Sequence, residues 1–152
     1  MALWALLDEG SDLATSSISD RIHAVAMLAG AGAIAAYWAD WFTRGRVKVA
    51  DDSEYTTFEE SFPLADAYLA ACLLLSAHAL WRGKPSAVPL GIAGGSAAVF
   101  LGLMDLLFDI RRGNLSDSSV EMQTEKAIIA ACLTLGPWTM TRLWRRRHVF
   151  TS

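Results

Sequence analysis

Apolar residues along this chain fall in four long runs, and polar residues gather in the connectors between them. The runs cover residues 22–42, 62–81, 87–110 and 127–144. Each approaches the ~20 residues that a helix needs to cross the hydrocarbon core of a bilayer. Runs one and three have almost no polar residue at their centres, whereas a helix of a soluble bundle would carry a polar stripe. The pattern predicts an all-α fold: one membrane domain over residues 1–152, built as a four-transmembrane-helix bundle with both termini on the same side.

The punctuation agrees with this reading. Ser19 and Asp20 offer N-cap oxygens to the first run. Pro63 and Pro89 lie in the first turns of the second and third, where a missing N–H costs little. Gly45, Gly83 and Gly113 follow the first three runs as C-terminal stops. Pro137 falls inside the fourth and predicts a kink. Tyr37, Trp38, Trp41, Phe42, Trp81 and Trp144 close their runs at the depth that amphipathic rings prefer. Small residues supply packing faces: Gly30 between Ala26 and Ile34, the GxxxG pair Gly91 and Gly95, and the four-residue repeat Gly94, Ala98 and Gly102. Such faces let backbones approach closely, which matters in lipid, where burial alone gives no drive.

Composition adds little by itself. The chain is 53% hydrophobic and 19% charged, a modest shift from the roughly 45–50% and about 25% of soluble domains, so the distribution carries the membrane reading. A net charge of -3 with no basic stripe excludes a nucleic-acid partner. Residues 1–7 are apolar but short, and Asp8, Glu9 and Asp12 follow at once. That acidic start is unlike a signal peptide and predicts an interfacial segment with Trp4 at the headgroups. Cys72 and Cys132 lie inside apolar runs and read as buried thiols.

Charge sets an orientation. The terminal side carries seven basic residues: Arg21, Arg82, Lys84, Arg142, Arg145, Arg146 and Arg147. The opposite side carries six: Arg44, Arg46, Lys48, Arg111, Arg112 and Lys126. The narrow excess and the C-terminal arginine cluster place both termini in the cytoplasm of a multi-pass cell-membrane protein.

The acids are less evenly divided. Asp40 ends run one, Asp66 lies one turn into run two, Asp105 and Asp109 end run three at i, i+4, and Glu125 opens run four. Because the chain alternates direction, all five lie toward one face, and with the acids of the connectors they make twelve of the sixteen. Glu125 reads as a complement to a helix N-terminus, and Asp40 and Asp109 as partners of Arg44 and of Arg111 or Arg112. Asp66 and Asp105 sit inside apolar sequence, where a charge costs a few kcal/mol and usually faces the bundle interior or a cavity. Residues 55–68, YTTFEESFPLADAY, mix aromatics and carboxylates and read as one wall of that region. The candidate ligand-binding set is Glu60, Asp66, Asp105 and Asp109; the candidate packing set is Gly30, Gly91, Gly95, Ala98 and Gly102.

No catalytic motif and no cofactor motif occurs, and His23 and His78 give no third metal ligand. The expected function is to bind or conduct a cation, a proton or an amphipathic amine at an acidic pocket. The alternatives are a non-catalytic accessory subunit and, ranked last, an intramembrane lipid- or sterol-modifying enzyme. Partners implied are the lipid bilayer and either a second copy or a larger membrane complex.

The pattern YxxFExxFPLADxxLA followed by LGLxDLLFDIRRG resembles small bacterial-type four-helix membrane proteins. In size, helix count and acidic lining the chain is also similar to the EXPERA-type sterol-isomerase and sterol-binding proteins. That resemblance implies carboxylates brought to a membrane-embedded amine or sterol pocket. It assigns no role to any residue here.

Overall fold

The computed structural model describes residues 17–150, which are helical without strands. The interfacial segment expected at residues 1–7 lies outside the described residues. Five α-helices follow in order: α1 Ile18–Thr43, α2 Ser53–Glu59, α3 Pro63–Trp81, α4 Ala87–Arg112 and α5 Val120–Arg146. Short 3-10 turns cover Asn114–Ser116 and Arg147–Phe150.

Three stretches are long and apolar enough to cross a membrane: Ile18–Thr43, Ser53–Trp81 and Ala87–Arg112. The fourth expected span is not among them. Its uncharged stretch, 127–141, measures only about 22 Å at the rise of an α-helix, against about 30 Å of hydrocarbon.

Local chemistry explains the boundaries. Ser17, rather than Ser19, caps α1: its hydroxyl accepts from the Asp20 N–H at 3.2 Å while Asp20 reaches back to the Ser17 N–H at 3.2 Å. Gly45, Gly83 and Gly113 take φ of 66°, 64° and 72° just past α1, α3 and α4, the left-handed conformation that ends a helix. The α5 helix starts at Val120, capped by Ser119, and runs through Pro137.

α2 was not anticipated. Asp52 caps it by accepting from the Tyr55 N–H at 2.9 Å, and Pro63 opens α3 four residues after it ends. Its two turns put Tyr55 and Glu59 on one buried face at i, i+4. Tyr55 is fully buried, its ring 5.8 Å from Trp41 of α1 and 6.3 Å from Phe108 of α4. Phe58 stacks on Phe108 at 3.9 Å between centroids. α2 thus ties α1 to α4 at one end of the molecule.

The long helices pack in sequence: α1 on α3, α3 on α4, α4 on α5. Glycines bring α4 close to both neighbours. A methyl group at Gly95 would stand 2.7 Å from Met140 Cγ and 2.8 Å from the Gly136 carbonyl oxygen of α5; one at Gly102 would stand 2.8 Å from Cys132 Cβ. One at Gly91 would stand 2.7 Å from Ser76 Oγ of α3. Gly30 has only ordinary contact with Leu73, so space does not require a glycine there. Cys72 and Cys132 are free thiols.

α1 and α5, the first and last of the row, form no extended interface. They meet at one end, where Asp20 accepts from Arg142 at 3.1 Å and from Arg146 at 2.6 Å, and His23 Nε2 lies 3.1 Å from Thr139 Oγ1. The His23 ring also packs on Trp138 at 4.5 Å. Beyond this clasp the two helices stand apart.

Candidate functional site

The gap between α1 and α5 is a cavity of about 870 Å³. Its side walls are α1 and α5, its floor is α3 and α4, and α2 closes one end. Most of the wall is apolar: Gly30, Ala33 and Ile34 on α1, Ile128, Ala131 and Leu135 on α5. The clasp end stops at Trp138 and Thr139. The other end is mostly acidic: Glu59, Asp66, Asp105 and Glu125 are in the lining, with Asp40, Glu121 and Arg46, the last paired with Asp40.

Two of these carboxylates are tied down. Tyr37 O–H donates to Glu59 Oε2 at 3.1 Å, and Trp38 Nε1–H donates to Asp66 Oδ2 at 2.7 Å. Tyr37 and Trp38 therefore work from inside α1 as donors to the acids, rather than only as interfacial aromatics. Asp105 has no hydrogen bond and no ion pair among the described residues. Its charged surroundings are Glu59, Asp66 and Asp109. Glu125 is 8% exposed; its carboxyl faces that of Asp109 closely enough to share a hydrogen bond, and no N–H or O–H of another residue reaches its Oε2. A buried carboxyl without a counter-charge either keeps a proton or pairs with a cation, and this end offers no cation of its own to Asp105 or Glu125 among the described residues.

Asp109 is fully buried next to this group but is not part of the lining. It accepts from Asn114 Nδ2 at 3.1 Å, and no N–H or O–H of another residue reaches its Oδ2. It does not pair with Arg111 or Arg112 as its spacing suggested. Arg112 instead holds Asp52 at 2.6 Å and Glu54 at 3.2 Å, because α2 brings those acids to the end of α4. Asp40 pairs with Arg46 at 2.6 Å, not with Arg44. The Arg112 guanidinium holds the Asp52 carboxyl below the usual carboxylate range. The Ser119 backbone N–H and hydroxyl do the same for Asp117.

Of the four candidate ligand-binding residues, the structure brings Asp66 and Asp105 together in the lining, leaves Asp109 just behind them, and puts Glu60 outside. Glu60 is exposed at the C-cap of α2, one residue past the buried face, and Glu59 takes the inward position. Glu125 also belongs to the site: with α5 beginning at Val120 it lies in the second turn, not at the N-terminus. The helical phase of 52–59 carried the signal for Glu59. The Ser119 cap carried it for Glu125.

No protein-family model, no curated protein and no solved structure matches this chain. Roles therefore rest on the geometry alone.

Proposed function

We propose that this chain is a four-helix membrane protein that binds an organic cation, an amine or quaternary ammonium group, at Glu59, Asp66, Asp105 and Glu125. In this reading α5 crosses the bilayer beside α4, its short apolar stretch extended by snorkelling Lys126 and Arg142. Both ends of the chain face the cytoplasm, on the side of the C-terminal arginines. The observation that carries the reading is Asp105, without a hydrogen bond or ion pair among the described residues, at the acid end of a cavity whose middle stretch is apolar. A cation there would gain charge attraction, and the Tyr37 and Trp38 rings would add cation–π attraction. No group of His, Cys, Asp and Glu with metal-site geometry occurs among the described residues, which favours an organic ion over a metal.

The docking-subunit reading is weaker on one count. The small-residue faces that would serve a partner are largely used within the bundle, Gly94 against α3 and Gly95 and Gly102 against α5. The test is calorimetric titration of the purified protein in lipid nanodiscs with butylamine and tetramethylammonium. Saturable binding that Asp105→Asn weakens at least about tenfold, a loss of about 1.4 kcal/mol, supports the proposal. Absence of saturable binding by either cation rejects it.

A further inference from the structure

We infer that the cation bound here is the head of a single-chain amphiphile that enters sideways from the bilayer, between α1 and α5, and lays its chain along the apolar cleft. This rests on the amine-binding reading and adds the nature of the tail and the route. Three observations carry it.

First, the cleft is open along its flank. α1 and α5 line it together but meet only at the Asp20–Arg142–Arg146 clasp. Ala33 and Ala36 on one wall and Ala131 on the other are exposed, and Leu135 is 50% exposed. In a bilayer that flank faces acyl chains rather than water.

Second, the dimensions suit a chain. From Glu125 to Thr139 the α5 wall is about 21 Å long at the helical rise, against about 15 Å for one leaflet's half of the hydrocarbon core.

Third, polarity is divided lengthwise. The acids of the lining, Asp105 and Glu125 included, are confined to the end closed by α2, and the wall from Ile128 to Leu135 is apolar. One molecule satisfies both parts if it carries a cation at one end and a hydrocarbon chain behind it. Smallness on the α1 wall, Gly30 and Ala33, leaves room for that chain without a side chain having to move.

The experiment uses the full chain in nanodiscs and two probes: butylamine, and a dodecylamine carrying a photoreactive diazirine at the chain end. Irradiation followed by mass spectrometry is expected to place the label on residues 30–36 and 128–135. Ala131→Trp, which fills the cleft from an exposed position, is expected to weaken the long-chain amine about tenfold while leaving butylamine unchanged. Ala33→Trp repeats the test from the opposite wall should the first variant fold poorly. If butylamine binds but the label spreads evenly over the outer faces and neither Trp variant matters, the lateral cleft is wrong and the amine site stands. If neither amine binds, both readings fall. Cross-links between two copies across the α1–α5 gap would make the cleft a dimer face and also overturn the inference.

Discussion

The two ends of the α1–α5 gap both bury carboxylates, and they treat them in opposite ways. At the clasp, Asp20 is 3% exposed and satisfied by two arginines and the Ser17 hydroxyl at 2.9 Å. At the other end Glu59, Asp66, Asp105, Asp109 and Glu125 gather without an ion pair among the described residues, while Arg46 and Arg112 are engaged by Asp40, Asp52 and Glu54. A buried acid that serves structure brings its own counter-charge, since removing one partner of such a pair is what destabilises. An acid cluster without one is costly to the fold unless it holds protons or takes a cation from outside. The comparison separates an internal latch from the proposed binding end.

That contrast can be broken or sharpened by substitution. Asp20→Asn leaves Arg142 and Arg146 facing each other without a counter-ion, and should cost about 3 kcal/mol of stability, reduced somewhat because both arginines are partly exposed. Reversible unfolding in mixed micelles measures it, and a loss below about 1 kcal/mol would demote the clasp to a surface pair. Gly95→Val should cost about 2 kcal/mol in the same assay, because its side chain meets Met140 and the Gly136 carbonyl. Asp105→Asn should behave oppositely to Asp20→Asn, leaving stability unchanged or raising it by about 1 kcal/mol, because it removes a buried carboxyl that has no partner. A destabilisation as large as that of Asp20→Asn would mean that Asp105 is structural after all.

The smallest effect is at the rim. Asp52 is held below the usual carboxylate range by Arg112, so its contribution is present above the unfolded value near ~3.9 and is lost as pH falls through the lower folded value. Asp52→Asn should therefore flatten slightly the acid-side loss of thermal stability below about pH 4. An unchanged acid limb would show that α2 is not secured by this pair.

Much of the scaffold was readable in the chain. The three glycines at 45, 83 and 113 mark the helix ends because only a left-handed residue satisfies the last carbonyls there. At Gly91, Gly95 and Gly102 an added Cβ would stand under 3 Å from a neighbouring helix's atoms. The site was only half readable. α2 is two turns long, too short for hydrophobic periodicity to announce it. Reading 55–68 as one mixed wall points to Glu60, where the helix turns Glu59 inward. The pairing of acids and arginines was misread for the same reason: α2 carries Asp52 and Glu54 across to Arg112, a contact between positions some sixty residues apart that no local spacing encodes. The apolar stretch of α5 gave a span by length alone, but its charged flanks shorten it.

The central claim is that the acid end awaits a cation, and calorimetric titration of butylamine into wild-type protein and Asp105→Asn in nanodiscs tests it most directly. The account predicts saturable binding to the wild type, at least about tenfold weaker in the variant, with the variant no less stable than its parent. Equal binding to both proteins, or none to either, would contradict it.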